Sequence, residues 1–456
     1  MSLPPRLAIP VAALLLLWPA LWNGWPLVFS DTADYLWIWT TPGLHSIRPP
    51  AYGWLIGPLH LGRSLWPVIA GQALLTAWLL WMVLRRAGLG SGSMLLGIAG
   101  VLALATGAPW FASWVMADAL TAPMVLAAAT LTLGRLGRTE GIAVWLTLTA
   151  TAAVHLTHLP TLGAVIALLA ALRLFRRDIG VTWVGLAGAV LALMAAPAFN
   201  LLANWLSTGT ATLAFGSSLF LGARLVGDGL MQAYLSAHCP EPAWTLCADI
   251  AALPRDSDEF LWSPDSVVWR DRNFFRLEDE LAALNPRVIA AHLRAFVLNG
   301  LARGLEQLVT ARVGTDLSVR VNEDQQLLVR VVIPRFADAL GPAAGRALDA
   351  ARQTNEEIAR ALPARIAGPV SLFAVPAVAL WLALDRAARR SPIAVVAFAA
   401  AAAALANAFA VGAGGAVHDR YAARLMWLFP LVLAMLAAQR LNRRAPRPPA
   451  ADPPRP

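Results

Sequence analysis

The sequence predicts an all-α polytopic membrane protein with about ten transmembrane helices: seven, then an extracytoplasmic and mostly helical segment, then three. Three observations predict it. Of 456 residues 58% are hydrophobic and only 14% are charged, whereas a soluble chain needs about a quarter of its residues charged to cover its surface. Ten apolar runs follow one another along the chain, and arginines gather in every second connection between them.

The first run, 7–29, follows a single arginine, Arg6. A secretory signal has an apolar region of about 7 to 15 residues, and this one is long enough to cross the hydrocarbon core, so it is expected to stay as a first helix. Runs at 65–84, 94–109, 113–133, 141–158, 159–172 and 181–202 complete the first seven; 366–384, 393–411 and 425–438 make the last three. Arg85 and Arg86, Arg135 and Arg138, Arg173 with Arg176 and Arg177, Arg386 with Arg389 and Arg390, and the arginines of 440–447 alternate with connections poor in cations. By the positive-inside rule both termini are then cytoplasmic. The formal charge of +9 reports this topology, and nucleic acid is not an expected partner.

The chain divides into an N-terminal membrane module (1–203), an extracytoplasmic domain (204–365), C-terminal helices (366–439) and a Pro-rich, disordered cytoplasmic tail (440–456). The external segment holds both cysteines, Cys239 and Cys247. In that compartment a disulfide is favoured over two buried thiols. Asn285-Pro286 is read as the start of a helix whose apolar residues, Ile289 to Leu308, recur every three or four positions; it would pack on the domain core or lie on the membrane. A second helix is expected at 343–361, and no internal repeat is visible.

With this topology, ionisable residues from five segments meet on the extracytoplasmic side: Asp31 and Asp34; Arg48; Asp118; His155 and His158; and His418, Asp419, Arg420 and Tyr421. Ionisable groups at membrane depth are costly and read as functional by default. Each also has a plainer reading. Asp31 and Asp34 suit a helix start, Asp118 suits pairing with an arginine, and the histidines suit either a metal or a hydrogen-bonded pair. Arg48 and Arg420-Tyr421 suit snorkelling to the headgroups. Arginine binds phosphate through a planar fork, and a neighbouring carboxylate can take the proton of an attacking hydroxyl or amine. Together they point to group transfer from a lipid phosphate.

The acidic first loop Ser30-Asp31-Thr32-Ala33-Asp34-Tyr35, the segment Ile47-Arg48-Pro49-Pro50-Ala51-Tyr52, Asp118, and the last-helix entry Asp419-Arg420-Tyr421 leading to Phe429-Pro430 resemble the GT-C superfamily of glycosyltransferases. That superfamily includes protein O-mannosyltransferases and the bacterial aminoarabinose transferase of lipid A. The resemblance implies transfer of a sugar from a polyprenyl-phosphate carrier to a glycan, lipid or protein outside the membrane. It makes Asp31 the candidate base, with Asp34 and Asp118 as further catalytic acids. Arg48 and Arg420 would face the carrier phosphate, and His155, His158, His418 and Tyr421 would line the substrate site. The spacing of Asp31 from Asp34 and the brevity of the first loop depart from the superfamily pattern, and 204–365 matches none of its modules. The acceptor is therefore left open. No cofactor follows from a specific ligand set; a divalent metal is an option beside Asp31, Asp34 and the histidines. Two other readings stand beside this one, a transporter or lipid flippase and a noncatalytic envelope assembly protein.

Overall fold

A computed structural model describes residues 3–240, 244–270, 274–317, 333–355 and 357–444. Among these the secondary structure is helical, apart from a single bridge between Leu27 and Trp114. Six helices are long and apolar enough to cross a bilayer: Trp66–Arg86, His158–Phe175, Trp183–Thr208, Leu362–Leu384, Pro392–Gly414 and Asp419–Arg443. At 1.5 Å per residue, about 20 residues span a hydrocarbon core of about 30 Å. The protein is accordingly a multi-pass membrane protein. The pair Phe274–Ala291 and Leu293–Val309, bent by 97°, makes a seventh if read as one span.

The other apolar runs form shorter helices than the sequence suggests. The first breaks at Leu17 between Pro5–Leu16 and Trp18–Asn23, and Gly24, at φ 82°, ends it. Residues beyond it are extended, because Leu27 pairs with the 113–115 segment. Gly92–Ala105, Ala117–Thr132 and Arg138–Ala153 account for the rest. Every residue of Thr121–Thr132 is buried, which makes this helix the centre of the bundle. Close approach around it uses small residues, as membrane helices do. A Cβ on Gly185, for instance, would lie 2.3 Å from the Leu131 carbonyl oxygen.

The segment between the two sets of membrane helices is not one unit. A second apolar core joins Leu219, Met231, Phe260, Leu281 and Val288, all from its first part. Phe336, Leu340 and Leu348, from its second part, belong to the core of the bundle. Asn204 still lies within the Trp183–Thr208 helix. Cys239 and Cys247 are joined by a disulfide, with Cα atoms 5.8 Å apart.

Three expected boundaries shift. Asn285-Pro286 lies inside the Phe274–Ala291 helix, where the Asn285 side chain donates to the Ser218 carbonyl, and the break falls at His292. The helix expected at 343–361 is cut to Pro342–Asp349 and Glu357–Arg360. Between them the chain is held as a turn: Gln353 exchanges two side-chain hydrogen bonds with the backbone of Val28, and its own N–H donates to Asn23. Finally, 440–444 continue the Leu428–Arg444 helix and are not disordered. The rest of the Pro-rich tail, 445–456, lies outside the described residues, as does Pro242 within the disulfide loop.

Candidate functional site

Two acidic residues are brought to the same end of the bundle by backbone pairing. The Leu27 N–H donates to the Ser113 carbonyl and the Val115 N–H to the Leu27 carbonyl, forming a parallel bridge. Asp31 lies four residues beyond Leu27, and Asp118 lies four residues beyond Trp114. The register therefore delivers both acids to the same end of the bundle. Gln72 fixes the second segment by donating to the Trp114 carbonyl at 2.9 Å while accepting from the Tyr52 hydroxyl. Thr32 ties the first to it by donating to the Val115 carbonyl at 2.8 Å.

Each acid then meets an arginine. Asp31, on the first turn of Ser30–Thr40, pairs with Arg48 at 2.7 Å. It does not cap that helix; the contact with the free Phe29 N–H is made by Thr32. Arg48 precedes the Pro49-Pro50 start of the Pro50–His60 helix and lies over the Phe220 ring at 5.4 Å. Asp118 pairs with Arg424 at 2.8 Å, and both side chains are closed to solvent. It sits in a 3-10 turn at the head of the central helix, since 113–116 are drawn into the pairing with Leu27. Arg424 also donates to Thr157 and Asn407. Sequence reasoning did not single out Arg424, although it follows Arg420 by four positions on one helix and Asp118 asked for such a partner.

Arg420 pairs with Asp316 at 3.1 Å, donates to the Tyr421 hydroxyl and lies 4.8 Å above the Phe29 ring. Asp31 and Asp118 are within its electrostatic reach. The Tyr421 ring is approached by the guanidinium groups of both Arg420, at 4.6 Å, and Arg424, at 4.9 Å. Asp419 is used up in holding the 310–317 segment: it accepts from the Arg312 N–H and Nε and from the Thr315 hydroxyl. Asp316, Arg312 and Thr315 come from the 204–365 segment, between the two sets of membrane helices, in which the sequence offers no candidate catalytic residue. Arg312, Asp316 and Arg420, with Trp110, Phe111 and Trp114, line a small recess. Asp31, Arg48 and Asp118 are not among its lining residues.

The histidines differ from one another. His158 has both ring nitrogens engaged, by the Thr121 hydroxyl at 2.7 Å and the Thr151 carbonyl at 2.6 Å, so it fastens two helices together. His155 Nδ1 accepts from the Thr157 N–H, which assigns the proton of the neutral ring to Nε2. Burial, and then Arg424, hold its pKa well below the usual imidazole range. His418 stands apart: its backbone is clamped by Gln307, and its Nε2 faces Asp258 at 3.3 Å.

Asp34 is the exception among the acids. It has no hydrogen bond or ion pair among the described residues, and it is half-buried one turn beyond Asp31. Burial, opposed by Arg48 and reinforced by Asp31, raises its pKa to about 6. Among the described residues no group of three or more His, Cys, Asp or Glu could hold a metal ion. The Nε groups of Arg48, Arg420 and Arg424 are buried without a protein partner. No family model, curated protein or solved structure matches this chain.

Proposed function

We propose that the chain is a membrane glycosyltransferase, moving a sugar from a polyprenyl-phosphate carrier to an extracytoplasmic acceptor with inversion, in a bacterial inner membrane with both termini cytoplasmic. The observation that supports this most is the Asp31–Arg48 pair, at the same end of the bundle as Asp118–Arg424 and Arg420–Asp316. A cation next to a carboxylate suits a reaction in which a phosphate leaves while a proton is taken up.

In this mechanism the acceptor oxygen or nitrogen attacks the anomeric carbon and its proton passes to Asp31. The bond from that carbon to the phosphate oxygen breaks, and the electron pair departs with the phosphate. Arg48 and Arg420 neutralise the charge that develops there. Arg48 links the two events. Drawn to the carrier phosphate, it releases Asp31, so the base is set free only when the donor is bound. Asp34, unpaired and close by, keeps a second carboxylate within reach.

The saturation of Asp31, Asp118, Asp316 and Asp419 by arginines favours a second reading, a noncatalytic envelope protein whose ion pairs only fasten helices. Asp31→Asn separates the two. Purified protein is given polyprenyl-phosphate sugars, and release of the carrier phosphate is followed. The transferase reading expects donor-dependent release that falls by at least about a hundredfold in Asp31→Asn, the scale of a lost general base, in protein that is still folded, as circular dichroism verifies. Full activity in that variant would remove Asp31 from the mechanism.

A further inference from the structure

The Leu293–Val309 helix carries an apolar stripe that no other described part of the protein covers. Leu298, Leu301, Leu305 and Val309 are 52%, 47%, 61% and 67% exposed, and their spacing of three and four places them on one face. Gly300, Gly304 and Gln307 on the opposite side are buried. The glycines give the direction of packing. Gly300 faces Ala413 and Gly304 faces Phe409, so the helix runs antiparallel to Pro392–Gly414 and descends along its final turns. By this register Leu405, itself 49% exposed, lies opposite Leu308, and the exposed aliphatic surface continues onto the membrane-spanning helix.

The descent does not become a crossing. Just past Val309 the helix ends and the chain is held at the start of the last helix: Gln307 bonds the His418 backbone, Arg312 and Thr315 bind Asp419, and Asp316 binds Arg420. Asn407 donates to the Tyr421 carbonyl, so this anchorage lies about two turns short of the end of Pro392–Gly414, on the side from which the helix descends. Arg294 stands four residues above Leu298 on the stripe's face, exposed and without a partner among the described residues. The flanking charges, Arg303 and Glu306, lie 3.5 Å apart, so neither would enter lipid alone. A guanidinium above an aliphatic stripe matches the order of a leaflet, with phosphate headgroups over acyl chains.

We infer that Leu293–Val309 is a re-entrant helix of the leaflet at this end of the bundle, with Leu298, Leu301, Leu305 and Val309 against acyl chains and Arg294 at the headgroup phosphates. The 97° bend at His292 turns the chain from the second apolar core into the bilayer. Within the bilayer, burial of the stripe against lipid takes the place of burial against protein. This holds whether or not the protein is a transferase.

Spin labels test it in the full-length protein, whose native cysteines are joined and do not react. Leu301→Cys, Leu305→Cys, Arg294→Cys and Arg255→Cys are labelled singly in nanodiscs of phosphatidylethanolamine and phosphatidylglycerol. Collisions with oxygen, which partitions into lipid, are compared with those of a water-soluble nickel chelate. Labels at 301 and 305 should meet oxygen freely and the chelate several-fold less than the label at 255, with 294 in between. Chelate access at 301 and 305 equal to that at 255 would overturn the inference. So would shielding from both reagents, which would mean that another protein copy covers the stripe. All four side chains are exposed, so labelling leaves the packing intact, and an unchanged thermal midpoint verifies this.

Discussion

Arg424 directs its donors to Asp118, Thr157 and Asn407, and it is fully enclosed. Removing one partner of a buried ion pair leaves the other charge in a low-dielectric site, so Arg424→Ala should lower stability by about 3–5 kcal/mol. Thermal unfolding in detergent measures this, and a loss under about 1 kcal/mol would mean that the pair is open to water. Asp34 gives a pH signature. Its pKa, raised to about 6, means that the folded protein holds this proton more tightly than the unfolded chain does. Its contribution to stability is therefore complete below about pH 4, the usual carboxylate range, and is lost as pH rises through 6. Asp34→Asn should flatten that part of the stability profile; an unchanged profile would show a hydrated, ordinary carboxylate. At this scale the sequence pointed out Asp118 as an acid in apolar surroundings but could not name a partner 306 residues away. Gln72 and Asn407 lie within apolar stretches of the sequence, but that they position the Trp114 segment and Arg424 is a matter of contacts between distant segments.

Gly304 and Gly412 let the re-entrant helix lie directly on its neighbour. A Cβ on Gly412 would fall 2.5 Å from the Gly304 nitrogen and 2.8 Å from the Gly300 carbonyl oxygen, both backbone atoms that cannot rotate away. Gly412→Ala should force the helices apart at about 1–3 kcal/mol, the usual range for overpacking, whereas Gly414→Ala, with open space around it, should be nearly neutral. Equal midpoints for the two variants would contradict the packing. Helix positions were largely legible, because an apolar run declares itself. Their ends were not. The 350–355 turn exists because Gln353 meets Val28, and the break at His292 because one half of that chain joins the second apolar core and the other joins the bundle. Both are contacts between distant segments, and local pattern does not encode them.

For the molecule as a whole, membrane residence followed from composition and the ten apolar runs, while among the described residues six helices are long and apolar enough to span, or seven with the bent pair. The difference lies in runs such as 7–29, whose end is pulled into an extended bridge with 113–115. That bridge sets the site, since it brings Asp31 and Asp118 to one end of the bundle. The convergence of distant acids and arginines could be anticipated from topology, but the identity of each pair could not. In the transferase account these pairs form a place for a lipid phosphate, with Arg48 exchanging Asp31 for it. The most direct test is a cryo-EM map of the full-length protein in nanodiscs with polyprenyl phosphate. The account predicts phosphate density within hydrogen-bond distance of Arg48 or Arg420, and an Asp31 carboxylate moved off Arg48. Phosphate bound elsewhere on the protein, or an intact Asp31–Arg48 pair beside a bound carrier, would contradict it.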